Sequence, residues 1–139
     1  MSECVFCKIV KGEIPCQKVY EDADFIAFLD IAPINYGHIL VLPKEHYPNF
    51  FKTPEEVLAD LIKVSKKIAQ AMCQALNTDS FNLGININKS AGQLVPHLHF
   101  HLIPRFSNDG LESWPGKEYK KGEIEKYAKK IKKEIEINF

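Results

Sequence analysis

The sequence predicts an α+β fold with a central antiparallel sheet of about five strands. Three features predict it: a run of short apolar segments near the start, one long amphipathic helix in the middle, and two further strands followed by a C-terminal helix. The chain has 139 residues, 45% of them hydrophobic, which is enough to bury a core and excludes a disordered or fibrous protein. We expect residues 1–139 to form a single domain.

The first part of the chain has the pattern of short strands divided by turn residues. Residues 5–11 fit one helical turn that ends at Gly12. Segments 18–21, 25–30 and 38–43 are rich in apolar and aromatic side chains, and the acidic, proline and glycine residues between them are typical of turns. Segment 38–43 is almost continuously apolar, which indicates a strand buried on both faces.

Residues 54–76 form the clearest predicted helix. Thr53, Pro54 and Glu56 are typical of a capping box, in which the Thr hydroxyl caps the first turn. Apolar residues recur at helical spacing and predict a face that packs on the core: Val57, Leu58, Leu61, Ile62, Val64, Ile68, Ala69, Met72 and Leu76. We expect a core helix here and assign it no chemistry.

Two further strands and a helix complete the predicted fold. Residues 81–88 alternate between apolar and polar side chains, and residues 96–104 alternate as well. The stretch that joins them contains Ser, Ala and Gly and would let the two strands pair antiparallel. Residues 122–137 carry an apolar stripe at helical spacing, so we expect an amphipathic helix at the end of the chain.

Three of the five histidines alternate with apolar residues in one short segment. On a strand, His97, His99 and His101 would share one face, because successive side chains point to opposite sides. Lys, Thr or Glu would serve equally well in a solvent-facing row, so the repeated imidazole indicates chemistry. Two interpretations are open at this point: the row chelates a catalytic metal, or one imidazole is a nucleophile and its neighbours bind anionic oxygens.

The residues around the row bear on both interpretations. A catalytic metal needs a third ligand and usually a nearby carboxylate, and the first acidic residue after the row is Asp109. A neutral imidazole attacks phosphorus well at pH 7, because its ordinary pKa of about 6.5 leaves it mostly unprotonated. A phospho-histidine then splits one displacement into two easier steps. The backbone N–H groups of residues 91–93 could stabilise the charge that develops on the phosphoryl oxygens.

The row and its surroundings resemble the histidine triad (HIT) family. Residues 97–103 read His-Leu-His-Phe-His-Leu-Ile, which matches the family signature of three histidines alternating with apolar residues. Segments 4–9, 12–15, 28–31 and 37–46, which precede the row, match segments of the family in the same order. The resemblance therefore covers nearly the whole chain. It implies a HIT-like fold and two subunits that join their sheets in a homodimer.

The resemblance implies nucleotide chemistry. It implies attack on the α-phosphate of a nucleoside-monophosphate derivative and hydrolysis of the resulting nucleotidyl-histidine. We expect a substrate of the phosphoramidate or acyl-adenylate type. Dinucleoside polyphosphate hydrolysis is an alternative, and the N-terminal Cys-x-x-Cys argues against it. A nucleotide-binding regulatory module without obligatory turnover is the alternative from a different class.

The resemblance also implies roles for particular residues. His99 would be the nucleophile, His101 a ligand of the phosphate and leaving group, and His38 a further catalytic histidine. The nucleotide-binding residues would be Asp30 at the ribose hydroxyls and, near the phosphate, Asn86, Gly92, Gln93, His99 and His101. Leu94 departs from the pattern, because similar proteins often carry Ser or Thr there. Without that hydroxyl, phosphoramidase activity would be weaker or would need another acid.

A second set of residues predicts a structural metal site. Cys4 and Cys7 have the Cys-x-x-Cys spacing, which alone is half of a zinc site. The resemblance adds His46 and the first histidine of the triad, His97, as the two further ligands. It therefore implies a closed Cys₂His₂ site for Zn²⁺ that is structural rather than catalytic. Two buried thiols that pack as small hydrophobes are the alternative. We expect no organic cofactor.

Charge and composition exclude several classes of partner. Eighteen basic and 18 acidic side chains give zero net charge, which argues against electrostatic attachment to nucleic acid or to a membrane surface. The chain does not start with a basic region followed by an apolar one, so we expect no secretory signal and a reducing compartment for the four cysteines. We therefore expect a cytoplasmic protein with no nucleic acid or membrane partner, and the resemblance implies a homodimer that binds a purine nucleotide substrate.

Overall fold

The fold is described by a computed structural model that covers residues 4–139. These residues contain three α-helices: α1 (Val5–Val10), α2 (Glu55–Ala75) and α3 (Glu123–Asn138). They also contain five strands: β1 (Lys18–Glu21), β2 (Phe25–Leu29), β3 (Ile39–Pro43), β4 (Ser80–Gly84) and β5 (Phe100–Arg105). The strands form one sheet in the order β1-β2-β3-β5-β4, and every neighbouring pair is antiparallel. The predicted α+β fold, with its long helix and its C-terminal helix, is confirmed.

Helix α2 covers one face of the sheet. Its buried apolar residues are Leu61, Val64, Ile68, Ala69 and Met72, and they share a core cluster with residues of β3 and β5. The predicted apolar face is confirmed at its centre and wrong at two positions, because Ile62 and Leu76 are 44% and 36% exposed. Ile62 points about 100° away from Leu61 around the helix. Leu76 lies just beyond the last helical residue.

The opposite face of the central strands packs against α1. Side chains alternate along β2 and β3, so Ala27 and Val41 join the α2 core while Ile26 and Leu42 join a second cluster with Phe6. Strand β3 is buried along its whole length. This confirms the prediction of a strand that is covered on both faces.

The strand predicted over residues 81–88 is shorter in the structure. Strand β4 ends at Gly84, and the chain then enters a 3₁₀ turn at Lys89–Ala91. Asn88 and Gly92 on either side of that turn have φ angles of 70° and 92°. Both angles lie in the left-handed region, so the chain bends and does not continue as a strand.

The histidine strand begins later than predicted. Strand β5 starts at Phe100, so His97 and His99 precede it. Its pairing with β3 also stops at Phe100. The Leu98 N–H donates instead to the Tyr47 carbonyl at 2.7 Å. The first two histidines of the row are therefore held by a neighbouring loop and not by the sheet ladder.

The predicted capping box at the start of α2 is wrong. The Thr53 hydroxyl donates to the Asn49 carbonyl at 2.7 Å, so it closes the preceding turn and does not cap the helix. Pro54 takes the N-cap position without a side-chain hydrogen bond. Its carbonyl accepts from the Val57 and Leu58 N–H groups, both at 3.1 Å. The first helical turn is thus closed by backbone groups alone.

The chain divides into two compact units, one that ends at Asp109 and one that comprises Gly110–Phe139. The first unit contains the whole sheet with α1 and α2, and the second contains α3. The single domain predicted for residues 1–139 stays a prediction. No helix in residues 4–139 has both the length and the apolar character needed to cross a bilayer.

Candidate active site

Three imidazoles lie side by side where β3 and β5 pair. His38 immediately precedes β3, and His101 is the second residue of β5, opposite Leu40. Nε2 of His38 lies 2.9 Å from Nδ1 of His101, and the ring centroids of His99 and His101 are 4.9 Å apart. His38 and His99 are buried, with 2% and 8% of their surface exposed. The structure thus brings together the three histidines that the sequence predicted to be catalytic.

Gly37 determines where His38 lies. Its φ angle is +95°, and a Cβ atom added there would come within 2.5 Å of Leu76 Cδ1 and 3.5 Å of Pro104 Cγ. Any larger residue would be strained and would have to displace the Leu76 side chain. The tight turn that glycine allows delivers His38 to the start of β3.

The hydrogen bonds of His38 and His101 fix their tautomers. The Ile34 N–H donates to His38 Nδ1 at 3.1 Å, so the neutral ring carries its proton on Nε2. His38 Nε2–H therefore donates to His101 Nδ1. His101 in turn carries its proton on Nε2, a buried atom without a hydrogen-bond partner in residues 4–139. A buried donor of this kind is costly to leave unpaired, and it is available to an anionic oxygen.

His99 is held in the opposite tautomer to His101. Its Nδ1 lies 2.7 Å from the His97 carbonyl, and a carbonyl can only accept, so Nδ1 carries the proton and Nε2 keeps its lone pair. Burial lowers the pKa of His99 and lowers the pKa of His101 to about 4. Both rings are therefore neutral at pH 7. A neutral imidazole with a free Nε2 is the form that acts as a nucleophile.

Asp30 stands beside His38 at the end of β2. Its Oδ2 lies 3.7 Å from His38 Nε2, and its Oδ1 accepts the Ala32 N–H at 2.9 Å. The Asp30 N–H donates to the His38 carbonyl at 2.9 Å. Burial lowers the pKa of His38, although the charge of Asp30 opposes this shift. The structure therefore places the predicted ribose-binding carboxylate at the edge of the histidine cluster.

The predicted phosphate-side residues lie in the loop that joins β4 to β5. Asn86 and Gly92 are neighbours, because the Asn86 amide nitrogen lies 3.9 Å from the position of a Cβ atom on Gly92. Gln93 braces the loop: its Oε1 accepts the Asn88 N–H at 2.8 Å, and its Nε2 donates to the Pro48 carbonyl at 2.7 Å. The Gln93 amide is thus engaged at both ends in holding the loop.

The two N-terminal cysteines, His46 and His97 form a second cluster, which we call the metal cluster. Their ligand atoms all lie within 4.8 Å of one another. Nδ1 of His97 is 3.4 Å from Cys4 Sγ and 3.6 Å from Cys7 Sγ, and Nδ1 of His46 is 3.3 Å from Cys7 Sγ. Sulfur and nitrogen ligands of a tetrahedral Zn²⁺ with ordinary bond lengths are about 3.6 Å apart. The distances and the Cys₂His₂ donor set both fit zinc.

The hydrogen bond of His97 also fits a cation, which would have to displace the thiol protons. His97 Nε2–H donates to the Pro43 carbonyl at 2.8 Å, so the lone pair on Nδ1 faces the thiols, as in the usual second shell of a zinc-bound histidine. Burial raises the pKa of the Cys7 thiol to about 11, with Cys4 as the next cause. A bound metal ion deprotonates its coordinating thiols. These four residues could therefore hold Zn²⁺.

A second group of donor atoms does not suit a metal. Ligand atoms of Asp30, His38 and His101 also lie within 4.8 Å of one another. A metal-binding histidine normally donates its other ring N–H to an acceptor, but Nδ1 of His38 receives the Ile34 N–H. His38 Nε2 therefore keeps its proton and has no lone pair for a metal. The geometry favours a hydrogen-bonded histidine pair over a metal at this position.

A family comparison matches the part of the chain that holds these histidines. The profile of the HIT domain family matches residues 11–108, which is more than half of the chain. The chain belongs to the HIT family. The resemblance drawn from the histidine row is therefore confirmed, and the matched range contains His38, His46 and the whole triad.

Relatives of this HIT protein include two with named activities. Adenosine 5'-monophosphoramidase hnt1 of Schizosaccharomyces pombe is 40% identical over 134 residues, 95% of this chain and 98% of its own. Adenylylsulfatase HINT3 of Arabidopsis thaliana is 44% identical over 110 residues, 79% of this chain and 56% of its own. An uncharacterized HIT-like protein of Methanocaldococcus jannaschii is 45% identical over 129 residues, 93% of this chain and 98% of its own.

Solved structures share the fold of this HIT protein. A crystal structure from Streptococcus mutans UA159 superposes with a TM-score of 0.89 at 42% identity, covering 97% of this chain and 87% of that one. A Zn-bound histidine triad family protein from Mycobacterium smegmatis superposes with a TM-score of 0.77 at 40% identity, covering 84% and 85%. The predicted HIT-like fold is confirmed.

Three groups at the site of this HIT protein were not singled out from the sequence. The Ile34 N–H and the Pro43 carbonyl set the tautomers of two histidines, and backbone groups carry no sequence signal of their own. Phe6 is buried and packs edge to face against His99, with ring centroids 5.0 Å apart. Its position between the two cysteines of the Cys-x-x-Cys motif was the available signal.

Proposed function

We propose that this HIT protein hydrolyses a nucleoside-monophosphate derivative at the α-phosphate through a nucleotidyl intermediate on His99. We propose a phosphoramidate or acyl-adenylate of a purine nucleoside as the substrate. One observation carries the proposal: His99 Nδ1–H donates to the His97 carbonyl, which leaves a neutral Nε2 as the nucleophile. Two relatives, named adenosine 5'-monophosphoramidase and adenylylsulfatase, support this class of substrate.

The proposed reaction consists of two displacements at phosphorus. In the first, His99 Nε2 attacks the α-phosphorus, a P–N bond forms, and the bond to the leaving group breaks with its electron pair. In the second, water attacks the same phosphorus and the P–N bond breaks, which releases the nucleoside monophosphate. One water is consumed overall: its hydroxyl group bonds to phosphorus, and the proton that the leaving group takes up from solvent in the first displacement is returned to solvent by the attacking water in the second.

His101 and His38 support the phosphoryl group in this proposal. The unpartnered Nε2–H of His101 donates to a phosphoryl oxygen or to the leaving group, where negative charge develops. Because burial lowers the pKa of His101 to about 4, its ring is neutral and has a single N–H to donate. His38 donates its own Nε2–H to Nδ1 of His101. Because Nδ1 of His101 accepts this hydrogen bond, the proton of the His101 ring stays on Nε2.

The remaining predicted residues bind the nucleotide in this proposal. Asp30 accepts hydrogen bonds from the ribose hydroxyls, since its carboxylate lies beside His38 at the edge of the cluster. Asn86 and Gly92 line the phosphate side, and Gln93 acts by holding their loop in shape. Leu94 is 92% exposed and offers no hydroxyl, so we assign the donor for the leaving group to His101.

We assign a structural Zn²⁺ to Cys4, Cys7, His46 and His97. When bound, the ion would cross-link the N-terminal segment to the start of the histidine row, and no reaction step passes through it. The Zn-bound relative from M. smegmatis supports this assignment. All four cysteines are free thiols, which fits the reducing cytoplasm that we propose as the location.

We also propose a homodimer that extends the sheet through β4. This strand lies at the edge of the sheet, and its Phe81 and Leu83 are 37% and 44% exposed. Together with Ile62 of α2 they line an apolar groove of about 1020 Å³. An uncovered edge strand beside an apolar groove favours pairing with a second copy of the chain.

Replacing the nucleophile tests the proposed function. We expect His99→Ala to lower hydrolysis of adenosine 5'-phosphoramidate by at least about 10³-fold, because no covalent intermediate can form. AMP binding, measured by calorimetry, should change little. Wild type mixed with substrate labelled at the α-phosphate, and quenched without acid, should retain label on the protein, whereas the variant should not.

The same assay separates the alternatives. Label that persists unchanged in His99→Ala contradicts a nucleotidyl-His99 intermediate. Faster turnover of a dinucleoside polyphosphate than of the phosphoramidate would favour the other enzymatic class. AMP binding by the wild type without turnover of either substrate would favour a nucleotide-binding module.

A further inference from the structure

Phe6 connects the metal cluster to the proposed nucleophile. It lies on α1 between Cys4 and Cys7 and is 7% exposed. Its ring meets the His99 ring nearly perpendicularly, with centroids 5.0 Å apart and planes at 89°. It also meets the His97 ring, at 6.0 Å and 72°. One side chain from the cysteine motif therefore touches both a metal-cluster histidine and the nucleophile.

We propose that Phe6 is a positioning residue that couples metal binding at the N-terminus to the orientation of the His99 ring. This inference rests on the proposed function, because it concerns the same nucleophile. The His97 carbonyl holds one atom of the His99 ring, Nδ1. The perpendicular Phe6 ring restrains the rotation of the imidazole that this single hydrogen bond leaves open.

The metal cluster contributes to the placement of α1, which also packs on the sheet through Phe6. The helix has only six residues, and a helix of this length does not hold its shape in water without outside contacts. Cys4 and Cys7 lie at its start, and Cys4 Sγ accepts the Cys7 N–H at 3.2 Å. A metal ion held by these two thiols and by His46 and His97 would fix the helix, and with it the Phe6 ring.

Phe28 provides a matched control. It belongs to the same buried cluster as Phe6 and is 3% exposed. Its ring packs against Phe6 at 5.6 Å, whereas Phe6 is the partner that packs on the two histidines. Replacing either phenylalanine with leucine removes a similar volume from one core. Only the Phe6 change removes the aromatic ring that packs against His99.

The test measures the tautomer of His99 without substrate. Zinc-loaded wild type, Phe6→Leu and Phe28→Leu are compared by two-bond ¹⁵N–¹H correlation of the histidine rings at about pH 8, where the rings are neutral. We expect Nδ1 alone to be protonated in the wild type and in Phe28→Leu. We expect a mixture of tautomers in Phe6→Leu, because the freed ring loses its hydrogen bond to the His97 carbonyl. Phe6→Met repeats the test if the leucine variant does not fold.

Kinetics and metal removal complete the experiment. In Phe6→Leu we expect kcat to fall by about 10- to 100-fold, the usual effect of a misplaced nucleophile, with an unchanged Kd for AMP. Zinc removal by a chelator should mix the His99 tautomers in the wild type and should add little in Phe6→Leu.

Three results would overturn the inference. The first is a single His99 tautomer in zinc-loaded Phe6→Leu. The second is a raised Kd for AMP with unchanged kcat, which would make Phe6 a wall of the nucleotide pocket. The third is an equal effect of zinc removal in wild type and Phe6→Leu. Because the spectra need no substrate, failure of this inference is distinct from failure of the nucleotidyl-His99 proposal.

Discussion

His97 and His99 lie two residues apart, yet their rings carry their protons on opposite nitrogens. His97 donates from Nε2 to the Pro43 carbonyl and turns the Nδ1 lone pair toward the thiols. His99 donates from Nδ1 to the His97 carbonyl and leaves the Nε2 lone pair free. Which backbone carbonyl each ring reaches therefore decides which nitrogen keeps its lone pair, and so whether the ring suits the proposed role of metal ligand or that of nucleophile.

Burial does not distinguish the two histidines. It lowers the pKa of His97 to about 4 and also lowers the pKa of His99, so both rings are neutral at pH 7. The two sites differ in what surrounds the rings: two cysteine sulfurs lie at Nδ1 of His97, whereas the His99 ring packs beside the His101 ring. Changes in the metal cluster should therefore affect mainly stability, and changes in the active-site histidines should affect mainly catalysis.

The largest expected effect is the loss of a metal ligand. We expect Cys7→Ser to lower zinc content, measured by elemental analysis, and to lower the free energy of unfolding by more than about 4 kcal/mol. Cys73→Ser is the control, because Cys73 is partly buried on α2 and does not belong to the metal cluster. Equal destabilisation by the two changes in urea titrations would contradict a structural ion.

Removing a donor on the catalytic side should change the rate far more than the stability. We expect His101→Phe, which fills a similar volume without an N–H, to lower kcat by about 10²- to 10⁴-fold. Zinc content should stay close to that of the wild type, and the Kd for AMP should rise by less than kcat falls, because one hydrogen bond to the phosphate is lost. A normal kcat in His101→Phe would show that the Nε2–H of His101 in the wild type does not contact the reacting phosphoryl group.

The residues of both clusters were predictable from the sequence, and their tautomers were not. The alternating histidines and the Cys-x-x-Cys motif single out some of the side chains, the resemblance to the HIT family adds Asp30, His38 and His46, and the structure brings them into two clusters. The roles of these residues stay predictions. The tautomer of His38 depends on the Ile34 N–H in the preceding turn, and that of His97 depends on the Pro43 carbonyl, 54 residues away in the sequence. Both are backbone groups, whose direction no side-chain pattern predicts.

Element types were easier to predict than element ends. Periodicity predicted β1 at the residues where it lies, and it located α2 to within a residue at each end. The start of β5 was missed because a tertiary hydrogen bond, from Leu98 to the Tyr47 carbonyl, competes with the sheet ladder. The predicted helix cap was wrong for a similar reason, because the Thr53 hydroxyl donates to the Asn49 carbonyl of the preceding turn. Such competition is not encoded in local spacing.

Acid pH should lower the free energy of unfolding through His101. Folding lowers the pKa of His101 to about 4, below the value of about 6.5 in the unfolded chain. Between these values the unfolded chain binds more protons, so the contribution of His101 to stability is complete above about pH 6.5 and decreases by about 2 kcal/mol at pH 5. Urea titrations at several pH values measure this loss, and His101→Phe should reduce it.

The activity should also fall at acid pH. The nucleophile needs a neutral ring, and burial lowers the pKa of His99. We therefore expect kcat/KM to be constant from about pH 8 down to about 6.5 and to fall only at lower pH. An acid limb above the ordinary histidine pKa would contradict a buried, neutral nucleophile.

The smallest expected effect concerns the replacement of His38 by glutamine, because we propose that His38 acts on the phosphoryl group only through His101. If its role is to donate from Nε2 to His101 Nδ1, a glutamine amide can replace that donor and a phenylalanine ring cannot. We expect His38→Gln to lower kcat by less than about 10-fold and His38→Phe to lower it further, toward the 10²-fold or greater loss of a missing catalytic donor. Ring ¹⁵N spectra should show the His101 proton on Nε2 in wild type and His38→Gln and a tautomer mixture in His38→Phe. An equal loss of kcat in the two variants would mean that His38 contributes its own chemistry, and wild-type kcat in both would mean that its hydrogen bond to His101 does not matter for the reaction.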